Sequence, residues 1–347
     1  MRAIVKTTRG VGMTLEDVPI PSYGPSDVLI KVHAAGVCGT DLHIWEWDRW
    51  ASSRMHPPVT IGHEFAGEIA AIGDEAAKAG IFSVGQLVTA EGHIVCGVCL
   101  QCRTGAGHLC KATKIIGVDR DGAFADYISM PASNIVPLDG IPVETGASMD
   151  AVGNGVHTVF EGVEVPGATV LVIGCGPIGC FAAGVARAAG ASLVIASDFN
   201  DVRLDLAKRM GAHLTLNPGR DDVDARILEA TGGIGVDLVC EMSGHPAGHA
   251  QAFRSARLGG RVNILGTPSK STEVDFAHEI IFRGLTVYGV TGRKMYGTWN
   301  TMARLIRSGQ FDPRPVITHR FPLEQIADAI AVIKEGQAGK VILEIAS

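Results

Sequence analysis

Several features that would assign the chain to a large class are missing. No dense run of lysine and arginine is present and the net charge is −6, so a nucleic-acid partner is not expected. No internal repeat or low-complexity tract is found, which sets repeat architectures aside. The opening residues Met1-Arg2-Ala3-Ile4-Val5-Lys6 alternate like a strand and hold no signal-peptide core. One uncharged stretch, Val165 to Ala186, is long enough to span a bilayer, but Gly174, Gly176, Pro177 and Gly179 break it in the middle. A strand turning into a buried helix explains it, and no membrane partner is expected. Helical periodicity is also scarce through the first 150 or so residues.

What is present points to a globular α/β protein. A length of 347 residues suits about two domains, and 46% apolar residues supply sizeable cores. The 44 glycines, set among recurring apolar runs, read as tight turns and close backbone approaches. Of eight cysteines, four fall within fifteen positions. In a large chain without a secretion signal that favours metal binding in a reducing cytoplasm over a disulfide framework.

Residues 1–152 read as short strands separated by Gly/Pro turns, such as Val28–His33 and Ala66–Ile72: an irregular β-rich domain whose loops carry the His and Cys clusters. From Gly153 to Arg293 strands and helices alternate. Strands are expected at Thr169–Ile173, Leu193–Ser197, Leu214–Leu216, Val236–Glu241, Arg261–Leu265 and Thr286–Val290, with a helix such as Asp201–Met210 closed by Gly211. That rhythm predicts a doubly wound parallel sheet. Over 294–347 a helix near Met295–Ser308 and a last strand over Lys340–Ile345 follow.

Gly174-Cys175-Gly176-Pro177-Ile178-Gly179 is a G-x-G-x-x-G loop with a strand before it and a helix after it. Such glycines let the backbone approach a pyrophosphate, and the helix N-terminus offers free N–H groups. Asp198 follows at the end of the next strand, placed to accept hydrogen bonds from ribose hydroxyls and to repel a 2′-phosphate, which favours NAD over NADP. Arg203, five residues on, tempers that preference, since an arginine there could meet a phosphate; otherwise it is a solvated helix residue or a flank for the adenine.

Cys96, Cys99, Cys102 and Cys110 form C-x2-C-x2-C-x7-C, a lobe over about 93–112. Four thiolates suit a tetrahedral structural zinc with no open position. An iron–sulfur cluster or a redox pair would use similar loops, but a hydride-transfer protein needs neither. His108 is expected to be a bystander. Cys38, His63 and Glu64 offer three ligands of mixed type, leaving a fourth position for water or substrate: the arrangement of a catalytic zinc, which acts as a Lewis acid. Asp150 is either a further ligand, a group that orients a ligand, or a helix cap.

Together these residues resemble the zinc-dependent medium-chain dehydrogenase/reductase family along essentially the whole chain. The segments that carry the resemblance are Cys38–Ile44, Gly62-His63-Glu64, Glu241–Gly244 and Ile317–Phe321. Trp47-Asp48-Arg49-Trp50, Glu91-Gly92-His93 and Gly153-Asn154 are similar, more narrowly, to its threonine-oxidising branch. The resemblance implies a GroES-like catalytic domain built from both chain ends, a Rossmann domain between them, and a homotetramer. It implies two zinc ions per chain and oxidation of L-threonine to 2-amino-3-oxobutanoate with NAD. By position it makes Cys38, His63 and Glu64 the catalytic zinc ligands and Thr40 and His43 a proton relay, with Asp150 tied to that site. Ile178, Asp198, Arg203, Leu265-Gly266-Thr267 and Val290-Thr291 fall on NAD-contacting positions. His93 is the polar candidate for substrate recognition, with a structural histidine beside the cysteine lobe as the alternative. Trp45, Trp47 and Trp50 either shape the pocket mouth or a subunit contact, or pack a loop. A polyol or vicinal-diol dehydrogenase of the sorbitol or 2,3-butanediol type shares the metal motifs, and a non-catalytic NAD-binding relative is a third reading.

Overall fold

The computed structural model describes residues 1–268 and 270–345. It divides into two compact units: residues 1–150 with 294–299 and 317–347, and residues 151–293 with 300–316.

The first unit is built on a seven-stranded sheet. Its order is Ile135–Pro137, Leu87–Ala90, Glu64–Ile72, Asp27–Val37, Lys340–Glu344 and Ile317–Pro322, and Tyr127–Pro131 also pairs with Asp27–Val37. The last strand of the chain therefore sits beside an early one, with Ile342 opposite Gly36 and Leu343 opposite Ala35. Alternation decides the packing: Val28, Ile30 and Val32 are wholly buried while the residues between them are half-buried, the pattern of a strand with one face on the core. Phe65, Phe124 and Leu343 close the same core.

The second unit holds six parallel strands in the spatial order Leu214–Leu216, Leu193–Ser197, Thr169–Ile173, Val236–Glu241, Ala256–Ile264, Thr286–Gly289. This is the doubly wound order 3-2-1-4-5-6. Val170, Leu171 and Val172 are fully buried, as a central parallel strand covered on both faces must be. Helices Pro177–Ala188, Asp201–Arg209, Val223–Ala230 and Pro246–Ser255 supply the cover.

The strands and helices expected from periodicity lie within a residue or two of those observed, with two exceptions: the strand expected over Val28–His33 runs on to Val37, and the strand expected from Arg261 begins at Ala256. A second difference concerns where the chain returns to the first unit. The expected return was at 294, but residues 300–316 belong with the second unit. Packing explains this: Phe311 lies edge-on to Phe181, ring centroids 6.5 Å apart, and reaches the helix at Gly184.

Candidate active site

The opening loop of the site is set by a short helix, Gly39–Glu46. Cys38 is its N-cap residue, with its N–H donated to Asp41 Oδ2 at 2.8 Å. Gly62 holds φ 95, a left-handed conformation that glycine adopts without strain, and a Cβ there would strike the Phe124 ring. The turn delivers His63 and then Glu64, the first residue of its strand. One ligand atom each from Cys38, His63 and Glu64 lies within 4.8 Å of the others. Gly36, paired with Glu64 across the sheet, leaves room for the carboxylate; a Cβ there would meet the Ala147 carbonyl at 2.8 Å and Lys340 Cε at 2.9 Å.

Around the half-buried Cys38, the ionisable groups His63, Glu64, Asp41 and Lys340 are buried. Glu64 is 1% exposed and ion-paired with Lys340, itself 1% exposed, whose Nζ also donates to the Val37 carbonyl at 3.0 Å. Burial works against the Lys340 ammonium, but Glu64, then Cys38 and Asp41, outweigh it and raise its pKa. Asp41 is fully buried, which pushes its carboxyl up. Its Oδ1 lies 3.7 Å from His63 Nδ1. Burial likewise disfavours the charged His63 ring, but Asp41, then Cys38, prevail and raise it to about 10. His63 Nδ1, Glu64 Oε1 and Asp41 Oδ1 are buried without a hydrogen-bond partner. Orphaned donors and acceptors beside a thiol are what a divalent metal would satisfy, so the residues fit one.

The other sequence-derived positions surround this cluster unevenly. Thr40 Oγ1 is 3.9 Å from Cys38 Sγ, and His43 follows three residues later on the same helix face. His43 Nδ1 meets Asp48 Oδ2 at 2.7 Å. Asp150 is 7% exposed and lies inside helix Val143–Phe160, so it is not a helix cap; it stands outside the three-ligand group but adds its charge to His63. His93 is held by Glu91: Oε1 accepts from its N–H at 3.0 Å and meets its Nδ1 at 2.7 Å, while Oε2 accepts from Trp299 Nε1 at 2.8 Å. Trp45 and Trp47 pack against the core, and Trp50 is 37% exposed beside His43. The sequence names Lys340, Asp41 and Glu91 only within longer segments and gives them no role at the site. A lysine at the head of the apolar run Val341–Leu343 and an aspartate between Cys38 and His43 were the available signals.

Cys96, Cys99, Cys102 and Cys110 form a second cluster, their sulfurs within 4.8 Å of one another. Cys99 and Cys102 sulfurs are 3.5 Å apart, and those of Cys96 and Cys110 3.6 Å. Tetrahedral zinc with bonds near 2.3 Å requires sulfurs about 3.8 Å apart, so this lobe also fits its metal. His108 is not in the group.

In the second unit Gly174, at φ 87, turns the chain where a Cβ would meet Ser243 N at 2.7 Å. Gly179 lets the helix close on the loop, since a Cβ there would be 2.0 Å from the Gly174 carbonyl, and Gly176 faces open space. Gly174, Gly176, Asp198 and Arg203 line one cleft of about 870 Å³. Asp198 Oδ2 accepts from Cys175 N at 2.7 Å and Oδ1 from Asn200 N at 2.8 Å, which fixes the carboxylate at the cleft. Leu265-Gly266-Thr267 and Val290-Thr291 do not line that cleft, but follow the carboxyl ends of two neighbouring strands; Ile178 lies in the first turn of the helix after the loop. Ligands of open α/β sheets bind along this edge.

Two family models match the chain: the alcohol dehydrogenase GroES-like domain over residues 24–140 and zinc-binding dehydrogenase over residues 177–308. Relatives named L-threonine 3-dehydrogenase match along nearly the full length. That of Bacillus velezensis is 47% identical, covering 99% of this chain and 98% of the relative. That of Pyrococcus horikoshii is 44% identical, with the same coverage of both chains. The chain belongs to the zinc-binding alcohol dehydrogenase family. Solved structures agree: an alcohol dehydrogenase from Thermus sp. superposes on this dehydrogenase with TM-score 0.91 at 29% identity, covering 100% of both chains. A 2R,3R-butanediol dehydrogenase from Bacillus subtilis superposes with TM-score 0.89 at 27% identity and 99% coverage of each.

Proposed function

We propose that this dehydrogenase oxidises the secondary hydroxyl of L-threonine to 2-amino-3-oxobutanoate, with NAD as hydride acceptor. The observation that carries the reading is the convergence of half-buried Cys38 with buried His63 and Glu64 in a chain 47% identical, end to end, to relatives named for that reaction. Cys38, His63 and Glu64 would hold a zinc ion, which when bound polarises the substrate hydroxyl as a Lewis acid. Asp41 and Asp150 supply negative charge behind His63, and Lys340 holds Glu64 in place. Thr40, next to the Cys38 sulfur, takes the hydroxyl proton and His43 passes it to solvent. His93, its ring fixed by Glu91, meets the polar end of the substrate. Cys96, Cys99, Cys102 and Cys110 would hold a second, structural zinc.

The cleft at Gly174 and Gly176 takes the pyrophosphate, Asp198 the adenosine ribose and Arg203 the adenine side. Ile178, Gly179, Leu265, Gly266, Thr267, Val290 and Thr291 complete the cofactor edge. We also assign a homotetramer in the cytoplasm. The edge strand Thr286–Gly289, beside exposed Phe276, Ile281 and Phe282, supports association of copies. All eight cysteines are free, and among the described residues no helix is long and apolar enough to cross a membrane.

The test is reduced-cofactor production from L-threonine, L-serine, 2,3-butanediol and sorbitol, each with NAD and with NADP. L-threonine with NAD should give kcat/KM at least about tenfold above every other pairing. A polyol or diol that outperforms threonine overturns the substrate, and preference for NADP overturns the role of Asp198.

A further inference from the structure

We propose that Asp48 is a positioning residue for proton exit: its carboxylate fixes the tautomer of His43, so that Nε2 is the nitrogen that accepts the proton. The inference rests on the relay role given to His43 above.

Asp48 divides its two oxygens between two tasks. Oδ1 caps the helix Arg49–Arg54, accepting from Ala51 N at 3.0 Å. Oδ2 meets His43 Nδ1 at 2.7 Å. The turn that brings the aspartate back onto the histidine is fixed from several sides. Trp47 takes the left-handed conformation with φ 54, and Asp48 N donates to the His43 carbonyl at 3.3 Å. Gly12 N donates to the Trp45 carbonyl at 2.8 Å, and Lys6 Nζ sits 5.1 Å from the Trp47 ring centroid.

Stability does not explain the second contact. The His43 and Asp48 side chains are 59% and 37% exposed, and pairs so open to water contribute little to folding. The cap needs only Oδ1. What Oδ2 does is choose a tautomer. Burial tends to raise the Asp48 carboxyl, but hydrogen bonds from Ala51 N–H and from His43 hold it below the usual carboxylate range. The group is therefore ionised at neutral pH and can only accept. Nδ1 must carry the hydrogen of the neutral ring, which leaves the lone pair on Nε2. Thr40, on the same helix face, is the donor side of the relay.

Two substitutions separate this role from capping. Asp48→Asn keeps the shape and the cap, but its amide N–H2 faces Nδ1 and makes it the acceptor; Nε2 then carries hydrogen and cannot take a proton. Asp48→Ser keeps a cap and is too short to reach the ring, leaving both tautomers available. In the full-length, metal-loaded protein kcat with L-threonine should fall about tenfold for D48N and about threefold for D48S, with KM for NAD within about twofold of wild type. A capping role predicts the opposite order, because asparagine is the closer mimic; D48N as active as D48S or more so overturns the proposal. A second readout needs no substrate. In ¹⁵N-histidine-labelled protein at alkaline pH, the His43 signals, assigned by their loss in His43→Gln, should report Nδ1–H in wild type and Nε2–H in D48N. The same tautomer in both overturns the proposal. If wild type gives no NADH from threonine, the substrate reading fails, and the nitrogen shifts alone decide the role of Asp48.

Discussion

The two units build their candidate sites by different means. In the first, side chains do the work: a thiol, an imidazole and a carboxylate converge, and further carboxylates stand against His43, His63 and His93. In the second, the backbone does most of it. Gly174, Gly176 and Gly179 matter for what they lack, and the carboxylates of Asp198 and Glu241 hold loop N–H groups in place. A site made of side chains is lost by removing atoms. A site made of backbone is lost by adding them.

The largest effect should come from removing atoms in the first unit. His63→Ala takes away one of the three proposed ligands and leaves Asp41 and Glu64 with less opposing charge. On the proposed assignment of two zinc sites, metal content should fall by one ion per chain, and kcat/KM by about a thousandfold or more. The four-cysteine lobe should keep its ion, because its ligands are separate. Metal analysis and steady-state rates decide it; a variant that keeps both ions and its activity would remove His63 from the ligand set.

Adding atoms in the second unit should matter next, and unequally. A methyl at Gly179 would sit 2.0 Å from the Gly174 carbonyl, a backbone atom that cannot step aside. Gly179→Ala should cost about 1–3 kcal/mol in denaturant unfolding and weaken NADH in a fluorescence titration. At Gly176 nothing lies within 4 Å and φ is −60, which alanine adopts freely. Gly176→Ala should unfold within about 0.5 kcal/mol of wild type yet still weaken NADH, because the methyl occupies the approach of the pyrophosphate. Equal stability losses at the two positions would mean that the contact with the Gly174 carbonyl does not set the cost, and unchanged NADH affinity in Gly176→Ala would mean that the loop does not bind through its backbone.

The same contrast governs what was legible in the sequence. The second unit could be read from local order: a strand, a glycine loop and a helix in succession specify that site, and the parallel sheet follows from repeating the unit. The cysteine lobe was legible too, since all four thiols lie in one loop. Cys38, His63 and Glu64 were found as separate motifs, and their meeting is fixed by the sheet that sets Gly36 opposite Glu64. Lys340 could not be found that way. It lies over 270 positions from Glu64 in the chain and reads as one lysine in a strand. Only the pairing of the last strand with Asp27–Val37 makes it the counterion. Glu91 is similar, since its tie to Trp299 spans 208 positions. Residues 300–316 were misplaced for a related reason: Phe311 carries no periodic signal that names Phe181 as its neighbour.

The smallest effect isolates a carboxylate that holds one threonine, through its N–H and its hydroxyl, and one exposed cation. Asp237, near the start of its strand, accepts from Thr169 N and Thr169 Oγ1, each at 2.8 Å, and from Arg257 Nε at 2.6 Å. Burial tends to raise its carboxyl, but the Thr169 N–H and then Arg257 outweigh it, and the pKa is held below the ordinary value. The sign follows from linkage. A carboxyl with a depressed folded-state pKa stabilises the fold fully above its unfolded value, near 3.9, and that contribution fades as pH falls through the lower folded value. Arg257 is 41% exposed, so solvent screens the pair and the contribution is about 0.2–1 kcal/mol. Asp237→Asn should lower Tm by about 1–3 °C at pH 7, and the gap to wild type should close on acidification below about pH 4. A gap that stays constant with pH would mean that Asp237 acts through shape and not charge, and would place it with the glycines of its own unit.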